Sequence, residues 1–148
     1  MNTNPIYKEI KDRISGVATT FRYLGQYLAG KDNTSYKVPA IYVEMPNDLN
    51  IQFTGKLMHA PGALVKLHVI NNAPYKNHDN TNQETYVDEH EAMVAAMDNL
   101  ISGWNAVVDG KIITQQFVNV SATVNKMLGM HIYTVITYQT TFYSRHLV

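Results

Sequence analysis

The sequence of 148 residues contains no cysteine and a single tryptophan, and charged side chains make up only 16% of it. Without cysteine the chain has no disulfide framework, no thiolate zinc site and no cysteine nucleophile. Nowhere do eighteen apolar residues follow one another, and the first residues lack the apolar run of a secretory signal. We therefore expect a protein that is made in the cytoplasm and has no membrane partner.

Catalytic and metal-binding motifs are missing as well. The serines lack the Gly-x-Ser-x-Gly turn of a hydrolase, and the eight glycines are scattered singly instead of forming a phosphate-binding loop. No pair among the six histidines has zinc-ligand spacing. These histidines are His59, His68, His78, His90, His131 and His146. We therefore predict a protein that is not an enzyme and that has no catalytic residue, cofactor or metal.

Hydrophobic residues make up 45% of the chain, which is enough for the core of one domain, and the formal net charge is zero. A neutral chain argues against broad electrostatic capture of nucleic acid. We also expect no sequence-specific nucleic-acid partner. The charges are nevertheless segregated. Residues 1–31 carry five basic and two acidic side chains, residues 32–109 four basic and ten acidic, and residues 110–148 three basic and none acidic. This partition predicts that neighbouring copies contact each other through faces of opposite charge.

The first half of the chain predicts a helix followed by strands. Asn4 as a cap and Pro5 at the first helical position begin the helix. Apolar side chains then recur at helical spacing. Alternating or β-branched stretches predict strands at residues 17–24, 38–45 and 63–70.

The segments between these strands differ in character. Residues 25–37 and 71–83 are polar and predict loops, and the second of them exceeds the ordinary length of a connection. Residues 47–61, called the arm below, alternate weakly between apolar and polar side chains. This pattern suits a projecting hairpin as well as a plain loop.

A central helix is predicted next. Thr85-x-x-Asp88 has the pattern of a capping box, and a buried apolar stripe then extends to Trp104. The carboxylates of Asp88, Glu89 and Glu91 could be drawn as a catalytic cluster. They fit better at the start of a helix, where the helix dipole favours negative charge.

The chain then predicts a long antiparallel hairpin. After a turn at residues 109–110, two alternating strands cover residues 112–125 and 130–143, with a turn at 126–129 between them. This order of elements predicts the α+β class. We expect a single domain over residues 1–148, with a mainly antiparallel sheet flanked by the N-terminal helix and the central helix.

Four stretches of the sequence, taken in order, resemble the tail-terminator and tail-completion proteins of tailed bacteriophages. They are VPAIYVEM at residues 38–45, ALVKLHVI at 63–70, LISGW at 100–104 and YTVITYQTTFY at 133–143. The resemblance spans nearly the whole chain and rests on length, strand order and the second strand with its flanking prolines.

The resemblance implies a structural virion protein. Proteins of that family fold as a small α+β domain and assemble as a homo-oligomeric ring, usually a hexamer. The ring caps the tail tube and joins it to the head through the neck. The implied partners are further copies, the tail-tube protein and a head-tail connector or neck protein. The implied location is the tail or neck of the virion, reached from the host cytoplasm during assembly.

Two other function classes stay open. A small enzyme or ligand-binding domain would use a pocket between helix and sheet, and Tyr42, Glu44 and His68 are its candidate residues. A nucleic-acid-associated regulator would bring both basic ends of the chain onto one face. Within the virion, another head-tail adaptor of the neck is a further alternative.

A protein with these implied partners needs residues that bind them. Only the arm and the loop at residues 71–83 look able to project beyond the sheet, and exposed apolar side chains are common anchors of interfaces. The arm could also fold back onto the core. The predicted partner-binding residues are Ile51, Phe53, Leu57 and Met58 in the arm and Tyr75, Lys76, His78 and Asp79 in the loop.

Overall fold

A computed structural model describes residues 1–25, 36–73 and 80–145, without the side chains of residues 80–83 and 145. The described residues form helices and strands in the following chain order: α1 (Asn4–Ile14), β1 (Thr20–Arg22), β2 (Ala40–Glu44), β3 (Gln52–Thr54), β4 (Leu57–Asn72), α2 (Asn80–Ile101), β5 (Val107–Val108), β6 (Lys111–Ile112), β7 (Val118–Leu128) and β8 (His131–Arg145). Neither described helix combines the length and the apolar character that crossing a membrane requires.

The centre of the fold is one mixed sheet with the strand order β1-β2-β4-β8-β7, and β3 pairs with the beginning of β4. The β1–β2 pair is parallel and the other pairs are antiparallel. The two longest strands, β4 and β8, pair from Leu57 opposite Arg145 to Asn72 opposite His131. We call this pair the spine. A bulge interrupts it between Ala60 and Ala63.

Both helices cover one face of the sheet, which we call the helix face. Ala63, Val65, Leu67 and Val69 of β4 point to this face and are buried, as their period of two predicts. The isoleucines of α1 and residues of α2 pack against them in one cluster. Full burial of one such large aliphatic side chain contributes about 1.5–3 kcal/mol to folding. The predicted α+β class is confirmed.

Both helices begin differently from the prediction. Asn4 is the first residue of α1 rather than its cap, and its N–H donates to Oδ1 of Asn2 at 3.1 Å. The helix α2 begins at Asn80, five residues before the predicted start, so Thr85 lies inside it and the capping box is wrong. The acidic residues that follow Thr85 therefore do not stand in the first turn.

The C-terminal end of α2 is held by α1. Nε of Arg13 donates to the carbonyl oxygen of Leu100 at 2.9 Å, and the guanidinium lies 5.3 Å from the ring centre of Trp104. The last carbonyls of a helix lack partners within it, and a cation at this end also complements the helix dipole. Arg13 therefore fixes the two helices to each other.

Several strand limits also differ from the prediction. The stretch at residues 17–24 contributes only three residues to β1, and β7 begins at Val118 because residues 111–112 belong to the small β5–β6 hairpin. That hairpin has the predicted turn, with Asp109 and Gly110 both at positive φ. The turn between β7 and β8 lies at residues 129–130, later than predicted.

Part of each predicted loop lies outside the described residues. The loop at residues 71–83 is also shorter than predicted. Of the loop at residues 71–83, the first two residues continue β4 and the last four belong to α2. Residues 74–79, and residues 26–35 of the other predicted loop, fall outside the described part of the chain.

Candidate interaction surfaces

The arm is a hairpin at one end of the spine. Phe53 of β3 pairs with Met58 of β4, and the turn between the strands contains Gly55 at φ 60°. A positive φ favours glycine because it has no Cβ to clash with the backbone. The side chains of Ile51 and Phe53 are 40% and 61% exposed. The hairpin alternative for the arm is therefore the one observed.

The predicted partner-binding residues separate into three groups. Ile51 and Phe53 are exposed on the arm. Leu57 and Met58 are half-buried, because here β4 already pairs with β8. The remaining four, Tyr75, Lys76, His78 and Asp79, lie outside the described residues. The structure thus brings the four arm residues together at one end of the sheet.

A groove lies on the other flank of the spine at the same end. Residues 113–115 bond to β8 there: the N–H of Gln115 donates to the carbonyl of Thr141 at 2.9 Å, and the N–H of Tyr143 donates to that of Ile113 at 2.8 Å. The groove has a volume of about 1280 Å³ and is lined by the start of α1, by residues between 105 and 118, by Leu57 of the arm and by Tyr143 and Ser144 of β8.

Apolar side chains in this groove are exposed to solvent. Ile112 and Val118 line it and are 58% and 56% exposed, and Val108 lies beside them. Isolated apolar residues on a surface are ordinary, whereas a group that lines a concave surface marks an interaction site. The groove was not predicted from the sequence. Its walls come from residues about 100 positions apart, and no local pattern of side chains reports such a pairing.

The second face of the sheet, which we call the open face, carries a polar cleft of about 390 Å³. Nε2 of the buried His68 donates to Oε1 of Glu44 at 2.9 Å, and Nζ of Lys66 lies 3.9 Å from the other oxygen of Glu44. The ring of Tyr23 stacks on the imidazole with ring centres 4.0 Å apart. Burial lowers the pKa of His68, and the hydrogen bond to Glu44 opposes this shift.

This arrangement corrects the expectation of a pocket between helix and sheet. His68 and Glu44 do meet, but they meet on the face of the sheet away from the helices. Tyr42 lies on the same face without lining the cleft, and its hydroxyl donates to the carbonyl of Lys37 at 2.9 Å. In the described ranges, no three histidine or acidic side chains lie close enough to hold a metal ion.

A buried histidine joins α2 to the sheet on the helix face. Nδ1 of His90 accepts from Nδ2 of Asn71 at 2.7 Å, and Nε2 of His90 donates to Oγ1 of Thr134 at 2.7 Å. The same hydroxyl of Thr134 accepts from the N–H of Asn125 at 3.1 Å, and Nδ2 of Asn125 donates to Glu91 at 2.7 Å. We call these residues the His90 network. Because His90 is fully buried and uses both ring nitrogens, its role is structural.

Acidification is expected to destabilise the fold. Burial lowers the pKa of His68, His90 and His131, so below a pH of about 6.5 the unfolded chain takes up protons that the folded chain does not. The contribution of these histidines to the free energy of unfolding is fully present above that pH and decreases as the pH falls further. Thermal unfolding from about pH 8 to about pH 5 should show a decreasing Tm.

The control for this expectation is His131→Gln. The variant lacks one of the three histidines, so its Tm should fall less over the same range. A wild-type Tm that stays constant or rises on acidification would contradict the expectation.

Among the described residues, no ion pair involves the exposed charged side chains of the two helices. Lys8 and Lys11 are exposed on α1, and Glu84, Asp88 and Glu89 are exposed on α2. Both ion pairs of the described residues involve Glu44 instead.

Taken together, the fold is a small α+β domain in which two helices cover one face of a mainly antiparallel sheet and a hairpin arm extends at one end. This fold is similar to a chain of a solved structure described as the virion of a native gene transfer agent particle. The two chains share 11% sequence identity over 93% of each, with a TM-score of 0.55. No protein-family model and no curated protein sequence matches the chain.

Proposed function

We propose that this protein is a structural component of a phage-like virion, without enzymatic activity. The observation that carries the proposal is the shared fold, which covers 93% of this chain and 93% of a chain from a gene transfer agent virion. The sequence resemblance to phage tail terminators points in the same direction. The finer proposal is a homohexameric ring in the tail or neck that caps the tail tube and joins it to the head-neck connector.

Two surface features support a role in assembly. Exposed acidic residues on α2 and exposed basic residues on α1 lack ion partners within the described part of the chain, so copies can neutralise each other. Exposed apolar side chains at one end of the spine provide contact area. In the proposal, the arm and the loop at residues 71–83 supply contacts within the assembly. The residues that bind partners are the four arm residues and the four loop residues predicted from the sequence.

A ligand-binding domain is the second candidate, and the cleft of about 390 Å³ around His68 and Glu44 favours it. A ligand for this cleft would carry polar groups that match a carboxylate, an ammonium and several hydroxyls. This candidate needs no second copy, because the residues that line the cleft all belong to one chain. The two candidates therefore differ in the mass of the native protein.

Native mass spectrometry tests the proposal directly. At tens of micromolar and low salt we expect a species of about six times the chain mass of 16.7 kDa. Raising the salt concentration should shift it toward smaller species, because exposed ion pairs are screened. Deleting the gene in the phage-like element that encodes it should leave heads and tails unjoined in electron micrographs. A monomer at all salt concentrations, together with normal particles from the deletion, would refute the proposal.

A further inference from the structure

We propose that the polar cleft on the open face of the sheet is a binding site for a neutral saccharide. The proposal goes beyond the virion role, because it concerns a small ligand that a ring and a monomer can both hold. It rests on a row of polar side chains across the sheet and on hydroxyl groups in this row that the described residues leave without a partner.

The floor of the cleft is a row of side chains from four neighbouring strands. Glu44 of β2 pairs with Lys66 of β4. Thr137 of β8 pairs with Lys66 on one side and with Ser121 of β7 on the other. Neighbouring strands lie about 4.8 Å apart, so the row is roughly 14 Å long. Thr123, two residues after Ser121 on the same face of β7, also lines the cleft.

Thr137 is the most informative member of the row. Its side chain lies on a residue that is only 8% exposed, yet its hydroxyl forms no hydrogen bond with any described residue. In the part of the chain that the structure describes, Nδ1 of His59 is the only fully enclosed side-chain nitrogen or oxygen without a partner. The oxygen of Thr137 is therefore open to the cleft. A polar group in such surroundings needs a partner, which is either water or a ligand.

The other groups of the cleft add both donors and acceptors. The hydroxyls of Ser121 and Thr123 likewise form no hydrogen bond within the described ranges. A hydroxyl both donates and accepts, whereas the carboxylate of Glu44 only accepts and the ammonium of Lys66 only donates. A matching ligand therefore carries several groups that can donate and accept, close to one another.

The charges of the cleft favour a neutral ligand. Nζ of Lys66 lies 3.9 Å from Oε2 of Glu44, and Oε1 of Glu44 accepts from Nε2 of His68. The ammonium and the carboxylate thus compensate each other at short range. Neither an anion nor a cation meets an uncompensated opposite charge here.

The shape and the walls of the cleft narrow the ligand class further. Its volume of about 390 Å³ lies at the lower end of the range for small-molecule sites. Aromatic rings of Tyr23 and Tyr133 contribute to its walls, and an apolar C–H face can pack on such a ring. A saccharide combines adjacent hydroxyls with an apolar ring face. An amide ligand of the same volume has fewer polar groups and leaves hydroxyls of the cleft unpaired.

Saturation-transfer difference NMR on the purified wild-type protein tests the proposal. The probes are glucose, galactose, N-acetylglucosamine, maltose and cellobiose at millimolar concentration. At least one of them should receive saturation from the protein. Inorganic phosphate should not displace that sugar, and N-acetylglycine amide should receive no saturation.

Thr137→Val is the decisive variant. It removes the hydroxyl and keeps the shape of the side chain, so the affinity for the best sugar should fall by about three- to tenfold. Gln139→Ala is the matched control, because Gln139 is exposed on the same face of β8 and does not line the cleft. This variant should bind the sugar as the wild type does. Both variants should keep the wild-type Tm, which a melting curve checks.

The outcomes separate this proposal from the virion role. Saturation of a sugar that weakens in Thr137→Val and persists in Gln139→Ala supports the saccharide site. No saturation of any sugar, or equal affinity in wild type and Thr137→Val, overturns it. Binding of phosphate or of the amide in place of a sugar also overturns it. Native mass spectrometry and the gene deletion test the virion role independently of these results.

A competition experiment distinguishes two sources of the sugar. The competitor is a soluble polysaccharide built from the sugar that binds best. Displacement of the free sugar by the polysaccharide supports the site as one for sugars within longer glycans. The absence of displacement supports it as a site for free sugars.

Discussion

Phe142→Ala is expected to lower the free energy of unfolding by about 3–5 kcal/mol, because the ring leaves a cavity that the surrounding core fills only in part. Phe142 is completely buried on β8, in the cluster that both helices share. It also forms a bridge to Thr114 of the segment that builds the groove. For a domain of this size the loss corresponds to a decrease in Tm of roughly 10 °C.

Phe53→Ala is the matched control for this expectation. It removes the same atoms from a side chain that is 61% exposed on the arm, so the free energy of unfolding should change by less than about 1 kcal/mol. Chemical denaturation of both variants gives the two values. Equal losses would mean that Phe53 packs into the core, which is the alternative that the sequence left open for the arm.

Thr134→Val is expected to destabilise the protein by about 2–3 kcal/mol, although valine has nearly the same shape as threonine. The hydroxyl accepts hydrogen bonds from Nε2 of His90 and from the N–H of Asn125. Without it, two donors in the buried region lose their acceptor, and an unsatisfied buried donor costs more than an ordinary hydrogen bond contributes. Urea denaturation at pH near 8, where His90 is neutral, measures the effect.

Thr137→Val provides the comparison for Thr134. Thr137 lies on the same strand and is also buried, but its side chain points to the open-face cleft instead of the His90 network. Its replacement should change the stability by no more than about 0.5 kcal/mol. If both variants lost the same stability, the effect would come from the loss of a hydroxyl on β8 in general, and the importance of the His90 network would be refuted.

The central strand could be predicted from the sequence because one physical signal dominates it. Residues 63–70 alternate between two faces, and both faces are used: Leu67 packs under the helices and His68 lies in the open face. The same signal predicted the antiparallel hairpin of β7 and β8 but not which side chains of β7 share a face. Two irregularities in its pairing with β8, at Val120 and at residues 124–125, break the period of two.

Helix limits were harder to predict where the first turns carry no apolar side chain. Residues 80–84 of α2 are Asn, Thr, Asn, Gln and Glu, so the apolar period begins well after the helix itself. The pattern Thr85-x-x-Asp88 then looked like a start, although the backbone was already helical there. Capping motifs are short, and similar combinations of residues also occur inside helices.

The candidate surfaces also differ in how far the sequence predicts them. The exposed apolar residues of the arm could be named in advance, because Ile51 and Phe53 stand among polar neighbours. The groove and the His90 network could not be named. Each depends on residues from separate elements, and His90 finds Asn71 and Thr134 only after α2 has docked on the sheet.

The spine also determines when the protein can fold during its synthesis. Its paired residues are about 60 to 90 positions apart in the sequence, so the pairing closes long loops and is intrinsically slow. On the ribosome, β4 has no central partner until residues 131–145 have emerged. The groove is completed at the same late stage, since residues 113–115 bond to β8. This end of the sheet therefore takes its final shape only after β8 has emerged and paired with β4.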